Sequence, residues 1–505
     1  MTKTRDLRVL LATLLVLNVW SPCIAQSLPE LIDSILISHP SVRSQRALGE
    51  SAKEAVQGAE WQFYPTPSIG FEQVDASRLD PNYPSFGDKN VTTLRLQQPL
   101  WTGGRLTAGL DRAKAAVVAS QATLDSVRQD LALRVVQFYA DWLGALLKRQ
   151  AYEKSLKAHR TLQDQINRRI AGGVSPQSDL TLLLGRAQQT EADLSTAQAQ
   201  EQSALGRLSQ LLGHSLQARD MAATLSTPQA IAASAQELLE QAQAQNPGVI
   251  KLQAQAQIAE AEVTSAKADL KPEVYLRAES QYGSYATPGT PTLNRYFVGF
   301  SSRFGAGLST LSQVSGAEAR YQAALADIDS TRLSLGEQIQ SDYAQAATGQ
   351  LRLMALQASL ESADNITRAW NRQFVAGRKT WTDVMNAARE LAQLEAQIGD
   401  AKAAQLLVTW RMAIVGRGVD DVLIAALSSG AVVATPSPVR MRAAEPDESV
   451  VTLAAGVETE IPLYAQGEAD AILLRMAPSI DPLNFGVGVG ASDITHPLKN
   501  SEGLW

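Results

Sequence analysis

The residues best suited to catalysis or metal binding are few and scattered in this sequence. The four histidines are far apart, and no two have the spacing of a metal-ligand pair: His39, His159, His214 and His496. Asp493 lies three residues before His496, but a single pair of this kind is more often solvated than part of a site. The glycines of 486–490 lack the lysine and the following helix of a phosphate-binding loop. We therefore predict no catalytic, metal or cofactor site, and we expect the protein not to be an enzyme.

Charged residues are numerous but almost balanced. The chain has 45 lysines and arginines against 51 aspartates and glutamates, a formal net charge of -6, so we expect no nucleic-acid partner. Most carboxylates fall in long amphipathic segments, where they are typically a solvated face. Only 6% of the residues are aromatic, which favours long helices packed through small residues over a compact enzyme core.

The first 25 residues are typical of a secretory signal peptide. Three basic residues precede an apolar stretch from Val9 to Val19, and small residues end the segment, so cleavage before Gln26 is predicted. The only cysteine, Cys23, would be removed with it, which excludes disulfides and thiolate metal sites from the exported chain. The export signal indicates a protein that acts outside the cytoplasm.

The sequence changes from a strand-like to a helical pattern at Pro99–Arg105 in the first half of the chain. The residues before it, Asn90–Gln98, form a short strand-like stretch, and those from Leu106 to about Ile170 follow a helical pattern without proline. A helix of roughly 65 residues is about 100 Å long at ~1.5 Å per residue, which exceeds the width of a globular core. The pattern therefore predicts a barrel attached to a long helical tube.

The same order of elements recurs in the second half. Ala244–Pro247 echoes Ile37–Pro40 at an offset of 207 residues, and later turn and charge positions recur at an offset of 204. We therefore predict repeat 1 at 26–213 and repeat 2 at 214–434. Each contains helices, a β-hairpin (68–98 or 273–304) and a long helical pair. Residues 435–505 form a tail for which the sequence predicts no fold.

Each hairpin alternates apolar and polar residues, as a strand does between lipid and water. Four strands cannot close a barrel, and an open edge is not stable in lipid, so the chain must oligomerise. Three copies give twelve strands. The residues thus predict a fold that is mainly α with transmembrane β, in which a barrel closed by several chains continues into a long helical tube.

Residues 28–418 resemble the TolC family of outer-membrane factors. The resemblance depends on the order of motifs that recur in both repeats: the helix-opening His39-Pro40 and Asn246-Pro247, the Pro-Leu-Trp-Thr-Gly-Gly-Arg turn at 99–105, and the Gly…Asp turns at Gly173/Asp179 and Gly377/Asp383. It implies a trimeric, 12-stranded outer-membrane β-barrel continued by a long α-helical periplasmic barrel. Such a homotrimer in outer-membrane lipid forms the exit duct for an inner-membrane pump, with a periplasmic adaptor between them.

The resemblance also implies that the Gly…Asp turns are periplasmic tips, which close the tunnel and dock the adaptor. The implied tip residues are Arg169, Gly173, Ser178 and Asp179 in the first turn, and Gly377, Arg378, Lys379 and Asp383 in the second. Three copies of Asp383 would converge, bind cations and raise at least one carboxyl pKa by repulsion. Phe374 and Asn386 depart from the family pattern, which has a tyrosine and a second aspartate there, so only one acidic ring is expected.

The motifs at 97–105 and 168–176 look closest to family members that serve type I protein secretion, and that is the function we predict. Drug or small-molecule efflux is the alternative, because it uses the same architecture. A coiled-coil scaffold or periplasmic adaptor would explain the helices but not the four alternating strands. A secreted enzyme would leave the repeat unexplained.

Overall fold

The computed structural model describes residues 26–73, 87–223, 228, 234–285, 289, 291–302 and 309–428. All the described residues belong to one of the two units into which the chain divides, Met1–Val439. The predicted signal peptide at 1–25 and the tail at 435–505 lie outside the described residues, as do most of the first hairpin loop and part of the second.

The described part contains long helices and a small antiparallel sheet. The first half has α1 (Leu28–Ser38), α2 (Pro40–Trp61), β1 (Thr66–Gln73), β2 (Asn90–Trp101), α3 (Arg105–Ala171) and α4 (Gln177–Leu212). The second half has α5 (Ala235–Gln245), α6 (Pro247–Ala268), β3 (Glu273–Tyr282), β4 (Leu293–Ser301), α7 (Ser309–Val375) and α8 (Trp381–Arg417), followed by α9 (Val419–Ser428). The two halves follow the same order, and α3 and α7 have 67 residues each.

Proline and a capping side chain define where α2 and α6 begin. Pro40 and Pro247 occupy the first helical positions, where the missing N–H removes no hydrogen bond. The ring of His39 accepts a hydrogen bond from the amide of Ser41 at 3.2 Å. Asn246 Oδ1 accepts one from Gly248 at 2.9 Å, so both helix starts that the sequence predicted are confirmed.

The four strands form one sheet in the order β1-β2-β3-β4, with every neighbouring pair antiparallel. The prediction that β2 ends at Gln98 is wrong, because the strand continues through Pro99 to Trp101. The pairing with β3 shifts register between Pro99 and Trp101. A proline is tolerated at such an irregularity because it need not donate to the ladder there.

Helix α3 is the central element of the helical part. Its N-terminal half lies between α2 and α6, and its C-terminal half lies between α4 and α8. Helix α7 packs against α6 and α8 in the same way. The neighbours therefore follow the order α2-α3-α6-α7 near the sheet and α4-α3-α8-α7 near the long-helix turns. Within the described chain, α7 is an edge at both levels.

The largest apolar core lies at the middle of α3, where α1, the end of α4, the end of α8 and α9 pack together. Its bulkiest members are Tyr139, Trp142 and Trp410, all almost fully buried. Burial of large aromatic side chains of this kind dominates core energetics. This core fixes the ends of the two long helical pairs. No helix in the described ranges is both long enough and apolar enough to cross a membrane.

Candidate functional site at the two helix turns

The two turns that reverse the chain between long helices have the same backbone geometry. After α3, Gly173 has φ 71° and its amide donates to Ile170 O at 2.9 Å, while Val174 N donates to Arg169 O at 2.8 Å. After α7, Gly377 has φ 74° and makes the equivalent bond to Phe374 O at 3.0 Å. Both are Schellman caps, which need a left-handed residue and therefore favour glycine. Both glycines therefore lie where the chain reverses, and their expected place at a periplasmic tip stays a prediction.

The helices that follow the two turns begin differently. Helix α8 has Thr380 as its N-cap: Oγ1 accepts from Asp383 N at 3.3 Å and also donates to the Asp383 carboxylate at 2.8 Å. The carboxylate in turn accepts from Thr380 N at 3.3 Å, which completes a capping box. Helix α4 has Pro176 as its N-cap and no side-chain cap, although Asp179 lies in its first turn. Only the second turn is therefore fixed by reciprocal side-chain bonds.

The hydrogen bond from Thr380 holds the pKa of Asp383 below its ordinary value, and Lys379 adds to this effect through its charge. Lys379 Nζ lies 3.7 Å from the carboxylate and 4.4 Å from the centre of the Trp370 ring. Within one chain, Asp383 is thus a stabilised carboxylate. The expected repulsion among three copies, which would raise a pKa, stays a prediction.

Arg169 connects the end of α3 to the end of α7. Its Nη1 donates to the backbone oxygen of Phe374 at 3.1 Å, and its guanidinium carbon lies 4.8 Å from the centre of the Phe374 ring. A guanidinium over an aromatic face is attracted by the ring quadrupole. Phe374 cannot offer the hydroxyl of the tyrosine found in the family pattern, but its ring and carbonyl both bind Arg169.

A small apolar core lies directly behind the turns and joins all four long helices. Its buried members are Leu162, Ile166, Leu183, Phe374, Trp381, Val384 and Met385. Phe374 is 3% exposed, which explains an apolar ring at this position. A tyrosine hydroxyl there would need a buried partner. The core gives the turns a fixed arrangement on which the charged residues are displayed.

An open groove of about 480 Å³ lies between the turns. Five of the predicted residues line it: Arg169, Gly377, Arg378, Lys379 and Asp383. Three predicted residues of the first turn, Gly173, Ser178 and Asp179, do not. Cations outnumber carboxylates three to one among the residues that line the groove, so it is suited to an acidic or carbonyl-rich partner surface.

Sequence reasoning missed Thr380, Trp381 and Ser175, which also line the groove. The pattern Thr-x-x-Asp at 380–383 is a signature of a helix N-terminus and could have identified the cap. Ser175 and Trp381 carry no such signal. In the described ranges, no group of three or more His, Cys, Asp and Glu side chains is arranged to hold a metal ion.

Comparison with known proteins defines the class. The profile of the outer membrane efflux protein family matches residues 31–214 and 238–408, which together cover well over half of the chain. The chain therefore belongs to this family. It is an outer-membrane exit channel that extends into the periplasm, and the predicted resemblance to the TolC family is confirmed.

Individual relatives are more distant. The chain is 25% identical to the alkaline protease secretion protein AprF of Pseudomonas aeruginosa over 370 residues, which cover 70% of this chain and 75% of AprF. The outer membrane protein VceC of Vibrio cholerae has a similar structure, with a TM-score of 0.67, 19% identity, and coverage of 77% of this chain and 96% of VceC. The CmeC outer membrane channel of Campylobacter jejuni gives a TM-score of 0.66 at 15% identity, with coverage of 80% and 88%. These structures support the fold.

Proposed function

We propose that the protein is the outer-membrane duct of a type I protein secretion machine. It acts as a homotrimer that works with a periplasmic adaptor and an inner-membrane pump. The observation that carries the proposal is the combination of an incomplete sheet with long helical pairs ending in a charged groove. The duct itself is a passive conduit, and its energy comes from the pump.

The two free edges of the sheet support the proposed trimer. Strands β1 and β4 each have one partner in the described part of the chain, so each leaves a row of backbone groups that lipid cannot satisfy. Three copies joined β4 to β1 give a closed barrel of 12 strands. On the edge helix α7, Leu333, Leu351 and Met354 are exposed, as expected of side chains that meet a neighbouring chain.

The two faces of the sheet support the membrane assignment. Tyr296, Val298 and Phe300 on β4 are 80%, 76% and 80% exposed, and Ile69 and Phe71 on β1 point to the same face. The alternate residues form a polar face. Apolar side chains directed toward lipid and polar side chains directed toward a lumen are the pattern of outer-membrane barrels.

The groove between the turns is the proposed gate and adaptor-docking site. The bond from Arg169 to Phe374 holds the two turns of one chain together, and breaking it would let them separate. The exposed Arg378 and the half-buried Lys379 provide donors beside it. Partner choice should therefore depend on these turns and not on the barrel.

Two machines use such a duct. The relative AprF is named for secretion of a protease, which favours protein export for this chain as well. The family description names efflux, so drug or small-molecule efflux is the second candidate.

Deleting the gene decides between these two functions. The proposal expects loss of one large secreted protein from the medium while sensitivity to small amphiphilic drugs is nearly unchanged. Continued secretion together with increased sensitivity to many drugs would establish efflux instead. Complementation with the intact gene and with the Arg378→Glu/Lys379→Glu variant is the control for docking, since the variant should restore a trimer but not export.

A further inference from the structure

The polar face of the sheet carries a cluster of arginines. Arg95 on β2, Glu279 on β3 and Arg295 on β4 lie directly opposite one another in the strand register. Arg277 precedes Glu279 by two residues and therefore lies on the same face. Strands β2, β3 and β4 thus bring four charged side chains into one band, which we call the arginine belt.

All three guanidinium groups converge on a single carboxylate. Glu279 lies 2.9 Å from Arg295, 3.3 Å from Arg95 and 3.8 Å from Arg277, and its side chain is 9% exposed. One carboxylate cannot neutralise three cations, so each chain keeps an excess of two positive charges in the belt. The arginine side chains themselves are partly exposed.

Packing holds the belt in place. The guanidinium of Arg277 lies 4.5 Å from the centre of the Phe297 ring and 6.0 Å from that of Tyr275. Arg295 also donates to Gln281 Oε1 at 2.7 Å. A guanidinium stacked on an aromatic ring keeps its edge free to donate hydrogen bonds to an anion.

The other carboxylates of this face do not cancel the excess. Glu273 is paired with Arg105 at 3.1 Å. Glu72 accepts a hydrogen bond from Tyr285, and it lies four residues along β1 from Ser68, the register partner of Arg95. Each of these two carboxylates therefore has a partner outside the belt.

We propose that the arginine belt makes the barrel lumen anion-selective and favours passage of substrate segments rich in carboxylates. This inference rests on the proposed trimer, in which three copies of the belt form one ring of nine arginines and three glutamates. Rings of arginine are the means by which pores select anions. A belt that only ties strands together would leave selectivity unaffected.

A cysteine beside the belt reports its potential. Ser68 is the register partner of Arg95 on the same face, and the exported chain has no cysteine of its own. In the trimer, Ser68→Cys should react faster with an anionic methanethiosulfonate reagent than with a cationic one. Adding Arg95→Gln should lower this rate ratio about threefold to sevenfold. This range corresponds to the loss of one positive charge roughly 7 Å from the cysteine, with and without screening by salt.

Matched variants distinguish the charge of the belt from charge elsewhere on the chain. Arg46→Gln, which removes one exposed arginine of α2 distant from the strands, should leave the ratio unchanged, and Glu279→Gln should raise it. The reversal potential in a KCl gradient should move toward cation selectivity with Arg95→Gln. Oligoglutamate should block current in the native channel more than in this variant. A changed reversal potential without block by oligoglutamate would mean that the belt selects small anions only, and would overturn its role for carboxylate-rich segments.

The two possible failures give different results. A trimer that conducts but whose reagent ratio and reversal potential are unaffected by Arg95→Gln overturns the arginine belt and leaves the proposed function intact. A chain that neither assembles nor conducts overturns the proposed function itself.

Discussion

Replacing Arg169 with glutamine should loosen the contact between the two helix turns. The substitution removes the hydrogen bond from Nη1 to Phe374 O at 3.1 Å and the guanidinium that lies 4.8 Å from the Phe374 ring. A hydrogen bond from a charged donor contributes about 1.5–3 kcal/mol, and a cation–π contact at a partly exposed site about 0.5–1 kcal/mol. Because Arg169 is only half-buried, we expect a combined loss of about 2 kcal/mol per chain, which is roughly a 30-fold shift toward separated turns, the arrangement that would open the proposed gate.

Single-channel recording in a planar bilayer measures this shift as increased conductance or open time. Arg168→Gln is the matched control, because Arg168 is the exposed neighbour on the same helical turn. Conductance of Arg169→Gln no greater than that of the control would refute the link between the turns.

Two further substitutions test packing and electrostatics. A Cβ on Gly399 would lie 2.9 Å from a side chain of α3, so Gly399→Ala should destabilise the channel by about 1–3 kcal/mol. Gly206→Ala is the control: it has open space around it and should be neutral or slightly stabilising. Equal dissociation temperatures of the two variants in detergent would contradict this prediction. The folded pKa of Asp383 is lowered, so the stability from its cap is present above the unfolded pKa and is lost as pH falls through the folded pKa. Thr380→Val should raise that pKa and move the acid-induced loss of stability to higher pH, which dissociation temperatures measured across pH would reveal as a shifted midpoint.

Most element boundaries were predictable because proline and glycine define them. Helix α3 differs from its predicted bounds by about one residue at each end. The end of β2 was not predictable, because the irregularity at Pro99 depends on pairing with β3, far away in the chain.

The candidate site was predictable only in its turn residues. The positive φ values of Gly173 and Gly377 follow from local sequence, since a Schellman cap requires them. The contact from Arg169 to Phe374 joins residues 205 positions apart and depends on how α3 and α7 approach each other. No local pattern encodes that approach, so the link required the structure.

The number of chains in the channel extracted from the outer membrane tests the proposed trimer directly. Because β1 and β4 are both edges of a four-stranded sheet, native mass measurement in mild detergent should give three times the mass of the processed chain. Heating should convert this species to single chains. A stable, unheated complex with the mass of one chain, in a fraction that conducts current, would contradict the central claim.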